Sequence, residues 1–361
     1  MSNYYENLNP EVKAYFKILS PEFPSWLLEY INTPEMERNG KISMSCGTDY
    51  SGCFNLRYWY SNLDHSIGVA LIIWNFTHDK KQTLAGLFHD IATPAFKHCI
   101  DFMNGDSETQ ESTEERTTEI IENSKEIMSL LKRDKINLEE INDYKIYPIA
   151  DNDTPKLSAD RLEYNFSSGL TFFRVWELDK IKKIYNNITI VKNENGIDEL
   201  AFKDKSICEE YIHTISKLWP EWVSDKDRIV MQFLADMCKS MNNQGYLTID
   251  DLYTLSEREI INKFLNCEDK YLSQSFKNFQ NAKNVYRSKE IVKNKYCTNV
   301  KPKTRYIVPL VLTKEDPVRI NNISSRAKKD IDNYLNITRE GYYIYFDFNF
   351  IPYERKNIKR C

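Results

Sequence analysis

Only five histidines occur in the 361 residues, and one of them, His89, stands directly before Asp90 in the apolar stretch AGLFHDIATPAFKHCIDF. Acidic side chains are seldom fully buried without a partner, and an isolated buried carboxylate is costly. The pair therefore points to a cleft wall or to a waiting cation. Two further polar islands lie in similar surroundings, His65 in SNLDHSIGVALIIW and Asp160 in KLSADRLEYNF. Two imidazoles and two carboxylates make a mixed nitrogen and oxygen donor set, suited to Mn, Fe, Co, Mg or Zn. Such a set on an ion that favours six ligands leaves positions for water and a substrate phosphate.

Neighbouring helix residues project about 100° apart, so His89 and Asp90 can flank an ion but not enclose it. Separate helices must supply His65 and Asp160. From about Leu63, the residues Ile67, Ala70, Leu71 and Trp74 fall at helical spacing. A second helix is expected from Thr83 to Ala92, stopping near Thr93 because Pro94 disfavours helix before it. NGDSETQES reads as a loop, and Ser112 with Glu115 as a capping box that opens a helix to about Arg133. A further helix is expected over Lys156 to Gly169.

Before these elements, Pro10, Pro21, Pro24 and Pro34 separate small helices that end in a loop around CGTDYSGC. After them, IYNNITIVKNENGIDELAF carries β-branched residues around NENG and predicts a β-hairpin at about 184–203. Helices resume from Ser206 to about Leu265. TRYIVPLVL and GYYIYFDFNFI then read as strands on either side of a helix, SSRAKKDIDNYLN. The expected fold is mainly α, with an N-terminal helical and loop segment over 1–55, a helical core over 56–290 and an α+β appendage over 291–361.

Hydrophobic content of 41% and charged content of 28% are those of a soluble globular protein. A net charge of −4 argues against a broad nucleic-acid-binding face. The longest apolar run, Val69 to Trp74, is far below a membrane span. The N-terminus lacks a basic region followed by an apolar one, so no secretory signal is read and a cytoplasmic location is expected. Eight cysteines without a CxxC fit reduced thiols. The aromatic run GYYIYFDFNF is a poor exposed edge, so a homo-oligomer interface or a lid is expected there.

The ordered set of His65, His89-Asp90 and Asp160 resembles that of the HD-domain metal-dependent phosphohydrolases, and the flanks share the likeness. LDHSIGVAL resembles the family's hEHSlGva, LAGLFHDIATPAFKH resembles aALLHDiGHgPFSH, and ADRLEY resembles vDrlDYl of the deoxynucleoside triphosphate triphosphohydrolase-like branch. TIDDLYTLSEREIINKFL is similar to a later helical segment of that branch. The resemblance implies an HD-type helical core, with His65, His89, Asp90 and Asp160 as metal ligands. It also implies Arg161 near phosphate, Tyr164 facing substrate and His98 at the histidine of FSH.

The departures are equally specific. The second histidine of HDiGH is Thr93 here, and the downstream HE pair aligns with Thr113 and Glu114. The arginine before the first metal histidine is Asn62, with Arg57 nearest to it. Glu111, Glu114 or Asp106 would have to supply a general base. The expected site is therefore catalytic Asp90, Arg161 and Glu114, with substrate held by Arg57, Asn62, His98 and Tyr164. The expected reaction is hydrolysis of a phosphate ester or anhydride of a nucleotide or similar small molecule, with metal-activated water. The competing reading is a regulator that binds metal and nucleotide without turnover, and a di-iron oxygenase would need more histidines. His78-Asp79 mimics the motif at a polar helix end, and Lys97 and Arg116 read as surface residues.

Overall fold

The computed structural model describes residues 4–110, 112 and 116–354 of a mainly α-helical chain with two small sheets. Three helices come first: α1 (Pro10–Leu19), α2 (Leu27–Ile31) and α3 (Pro34–Asn39). Proline opens α1 and α3, where its missing N–H is no loss. α4 (Asn62–Thr77) starts on a reciprocal capping box between Ser61 and Asp64. All of its residues from Asn62 to Ile73 are buried, as befits a helix that is apolar nearly all round. It ends at His78 in a left-handed turn, and Asp79 then caps α5 (Lys80–Phe88), so the imitation motif is a helix connection.

α5 stops four residues before the expected Ala92. The Asp90 carbonyl accepts from the side-chain amides of Asn39 and Asn62, at 2.9 and 3.2 Å, and is lost to a helical ladder. His89 also turns its Nδ1–H back onto the Gly86 carbonyl at 2.7 Å. These competing bonds place His89 and Asp90 on a turn. α6 (Cys99–Met103) follows. The helix expected to run to Arg133 is two helices, α7 (Thr117–Asn123) and α8 (Lys125–Asp134), broken where Ser124 leaves helical geometry and caps the second. Its proposed opening box lies outside the described residues, because Glu115 does. α9 (Ala159–Thr171) begins after Ser158, whose hydroxyl accepts from the Arg161 N–H, so Lys156 stays in the preceding loop.

α10 (Leu178–Tyr185) leads into the hairpin β1 (Ile188–Lys192) and β2 (Asp198–Phe202), antiparallel with Ile188 opposite Phe202. Gly196, at φ 73°, supplies the left-handed turn residue. Helices α11 (Lys205–Ile215), α12 (Asp225–Asn243), α13 (Ile249–Thr254), α14 (Glu257–Asn266) and α15 (Lys270–Asn281) continue the bundle. The last segment supplies β3 (Tyr286–Ser288), β4 (Tyr296–Thr298), β5 (Leu310–Val311), β6 (Val318–Arg319), α16 (Ile320–Ile323), α17 (Ser325–Leu335) and β7 (Tyr343–Phe346). β5 adds in parallel to β2, giving the order β1-β2-β5-β6, while β3-β7-β4 form the other sheet.

Two large hydrophobic cores result, beside a small cluster of Val191, Ala201 and Leu310 in the first sheet. The larger surrounds α4, α5 and α9 and includes Ile307, Val311, Ile331 and Tyr334 from the last segment. The smaller gathers Phe96, Phe233, Phe264, Phe276 and Phe279 with Ile344 and Phe346 of β7. The region after 290 is thus shared between both cores. Among the described residues, no helix is long and apolar enough to cross a membrane.

Candidate metal centre and cavity

Three side chains from three elements converge: His65 on α4, His89 just after α5 and Asp160 in the first turn of α9. His65 Nε2 lies 3.2 Å from His89 Nε2 and 3.1 Å from Asp160 Oδ1, and His89 Nε2 lies 3.8 Å from the same oxygen. Donors about 2.1 Å from one ion stand roughly 3.0–4.2 Å apart, from neighbouring to opposite positions, so these atoms fit a single divalent cation. Their outer nitrogens support the same reading. His65 Nδ1 is bonded to the Glu163 carboxylate and His89 Nδ1 to the Gly86 carbonyl. Such outer bonds fix the tautomer and leave the inner nitrogens to an ion.

Glu163 is fully buried yet well served, accepting from Tyr60 Oη at 2.6 Å, Ser167 Oγ at 3.1 Å and Tyr15 Oη at 3.3 Å. Gly68 makes room for it, since a Cβ there would come within 2.8 Å of Glu163 Cγ and Oε1. Burial disfavours a charged His65, but Glu163 and Asp160 outweigh it and lift the imidazole to about 9. An ion must therefore displace a proton from it at neutral pH.

Asp90 stands beside this group, at distances from the imidazoles similar to those of Asp160 from His89. Its Oδ2 is 4.0 Å from His65 Nε2 and 3.7 Å from His89 Nε2, but only 2.8 Å from Lys97 Nζ. Burial would raise its carboxyl, yet Lys97 and the two imidazoles hold it well below the usual range. Lys97 is not the surface residue its charge suggests. It is 5% exposed, and its ammonium is also bonded to Asn62 Oδ1.

The centre opens into a cavity of about 630 Å³ whose walls draw on both cores. His98 and Tyr164 lie on its wall as expected. His98 Nδ1 is 2.9 Å from Asp101, itself fully buried and bonded by Ser112 Oγ at 2.7 Å. Burial leads in lowering the His98 pKa, and Arg305 adds to it against the pull of Asp101. Tyr164 meets Trp222 edge to face at 5.4 Å. Lys156, Lys303 and Arg305 bring positive charge to the wall.

The other expected residues are placed differently. Asn62 supports Lys97 and the turn at Asp90 and is absent from the cavity wall. Arg57 is also absent from it and pairs with Glu11 at 3.0 Å. Arg161 reaches the wall, but its guanidinium is taken up by Asp151 at 3.2 Å, Asn152 Oδ1 at 2.7 Å and the carbonyls of Asn152 and Lys156. Glu114, with Glu111 and Thr113, lies outside the described residues. Arg116 is a surface residue paired with Asp250 at 3.3 Å. Glu163, Asp101 and Lys97 were missed, although Glu163 and Asp101 are charged residues in helical runs, Lys97 stands in an apolar turn, and Glu163 follows Asp160 by one helical turn.

A mainly α fold with a His-His-Asp group suited to one metal ion defines the class of protein. No family model matches the chain. Its sequence is 20% identical over 301 residues to the uncharacterized protein YdhJ of Bacillus subtilis, covering 80% of this chain and 86% of that one. It is 25% identical over 238 residues to the uncharacterized protein MG461 of Mycoplasma genitalium, covering 58% and 54%. The fold matches a hypothetical protein from Aquifex aeolicus with a TM-score of 0.62 at 16% identity, over 90% of this chain and 93% of that one. It also matches a phosphohydrolase from Bacteroides thetaiotaomicron with a TM-score of 0.60 at 14% identity, over 90% and 96%. At such identities the likeness is one of fold.

Proposed function

We propose that this chain is a divalent-metal-dependent phosphohydrolase of the HD type, acting on a nucleotide or a similar small phosphate ester or anhydride. The observation that carries the reading is the meeting of His65, His89 and Asp160 on the wall of a cavity that Lys156, Lys303 and Arg305 also line. A bound divalent ion would acidify water and polarise a phosphoryl oxygen.

The chain's own groups supply the rest. His98, with Nδ1–H donating to Asp101, keeps Nε2 as a proton acceptor, and a depressed pKa leaves it neutral for that work. It is the group we assign to the proton transfer that the family's missing histidines perform. Lys303 and Arg305 draw the phosphate chain, while Tyr164, Trp222, Phe172 and Phe173 offer ring faces to a base. Arg161 holds the loop 151–158 against α9, and so positions Asp160 without touching phosphate.

The test is turnover of nucleoside mono-, di- and triphosphates and of cyclic and linear dinucleotides with Mn, Mg, Co or Ni. Asp160→Ala is the inactive control. Release of phosphate, pyrophosphate or triphosphate that the control lacks is expected, and His98→Gln should slow it about a hundredfold or more. Failure of the wild type to bind any divalent ion would end the reading. The regulator remains the second reading because Arg161 is fully engaged inside the protein. Metal-dependent binding without turnover across the whole panel would select it.

A further inference from the structure

We infer that Arg319 is a positioning residue that ties three separate cavity-lining segments into one rim, and so acts on substrate affinity and not on the metal centre. The inference rests on the phosphohydrolase reading above and adds to it the group that holds the basic side of the cavity in place. One segment is the loop 151–158, with Asp153 and Lys156 on the cavity wall. The second is the turn of the first hairpin, with Asn193 and Asp198, and the third is the stretch before β5, with Lys303 and Arg305. Arg319 itself stands on β6 and is absent from the wall. Its guanidinium Nε and Nη2 donate to Glu194 of the hairpin turn at 2.6 and 2.8 Å. Nη1 and Nη2 donate to Glu199 on β2, again at 2.6 and 2.8 Å, and Nη1 also donates to the Val308 carbonyl at 2.9 Å.

Glu199 passes the tie on. It is fully buried, and its Oε1 accepts the Leu157 N–H and its Oε2 the Asn193 Nδ2–H, both at 3.2 Å. The Val308 N–H in turn donates to the Pro155 carbonyl at 2.7 Å. All three segments therefore meet at one guanidinium, directly or through a single partner. Its planar fork fixes angles as well as distances. An ion pair buried in this way is weak evidence for stability, since apolar replacements often do as well. What it supplies here is geometry. Two of the three segments carry Lys156, Lys303 and Arg305, and a loose rim would no longer present these charges together to a phosphate chain. Such a change removes binding common to the ground state and the transition state, which raises KM and spares kcat. The metal centre is braced by other groups, Glu163 behind His65 and the Gly86 carbonyl behind His89.

The experiment pairs hydrogen–deuterium exchange of the full chain with steady-state kinetics on the nucleotides named above. Arg319→Met keeps the stem and removes the fork. If it does not fold, Arg319→Met with Glu199→Gln serves, because that pair leaves no uncompensated buried charge and keeps the acceptor for Leu157. In either variant the amides of 151–157, 193–198 and 303–308 should exchange together about tenfold faster or more, while those of α4 and α5 keep wild-type rates. KM should rise about tenfold or more, with kcat within about threefold and Mn2+ affinity within about twofold of wild type. Arg319→Lys, which keeps the charge without the fork, should fall between. Glu194→Gln should speed exchange over 193–198 alone and raise KM less than Arg319→Met does. Exchange that stays slow, or a KM that stays at the wild-type value in a folded variant, overturns the proposal. A loss of kcat or of Mn2+ affinity as large as the rise in KM overturns it too. If wild type turns over no nucleotide, the function reading fails by itself. The three segments loosening together then upholds the tie, and their loosening separately overturns it.

Discussion

Three glutamates are fully buried among the described residues; Glu199 is paired with Arg319, while Glu163 and Glu257, one in each large core, are treated in opposite ways. Glu163, in the larger core, receives two tyrosine hydroxyls, a serine hydroxyl and the His65 imidazole, so both its oxygens are engaged. Glu257, in the smaller core, accepts the Phe96 N–H at 3.2 Å through one oxygen, while the other has no partner. Burial, reinforced by Asp49, pushes the Glu257 carboxyl up to about 8. One carboxyl is met by four donors in the interior, and the other, with a single donor, is held mainly as a neutral group. Donors, not depth, decide which outcome a buried acid reaches.

The largest test of that contrast is Glu163→Gln. It removes the charge behind His65 and leaves the shape nearly intact. Divalent-metal affinity should drop roughly ten- to a hundredfold, as expected for an outer partner of a ligating histidine. Calorimetry with Mn2+ reads this directly. An affinity within a factor of two of wild type would mean that the buried charge serves packing, and that the two glutamates are not so different after all.

Gly68→Ala probes the same pocket by crowding. The added methyl would meet the Glu163 side chain at 2.8 Å, and either that carboxylate or α4 must give way. A loss of about 2 kcal/mol in stability is expected from overpacking of this kind, together with weaker metal binding. Denaturant unfolding and the Mn2+ titration separate the two effects. Lost stability with normal metal affinity would show that Glu163 can shift without disturbing His65.

The contrast also explains what could be read from the sequence. The elements were legible where periodicity and caps were strong, as in α4, the hairpin and α17. His65, His89 and Asp160 were legible because rare histidines and an acid in apolar helices imply a partner. The end of α5 was not, because it is set by Asn39 and Asn62, which bond the Asp90 carbonyl from other elements. Lys97 was misread because charge alone predicts a surface, and its burial depends on Asn62 and Asp90, 35 and 7 residues away. Arg57 was misplaced for the same reason: proximity to Asn62 in sequence said nothing of Glu11, which takes its guanidinium. Long-range polar pairing carries little local signal.

The smallest effect on the metal centre belongs to Glu257, which acts on stability alone, and its sign follows from linkage. The unfolded carboxyl titrates near 4.5 and the folded one near 8. Between these values the native state holds the extra proton, so stability falls as pH rises through the window and is lowest above it. Asp49, raised to about 6 chiefly by its own burial, adds a loss of the same sign at the acidic end. Glu257→Gln keeps an acceptor for the Phe96 N–H and cannot ionise. The variant should stay close to wild type near pH 5 and gain on it steadily, by about 4 kcal/mol at pH 9, with metal affinity unmoved. Urea unfolding at pH 5, 7 and 9 measures the trend. A gain that is constant with pH would mean that Glu257 is already ionised in the folded chain, and that it finds partners as effective as those of Glu163.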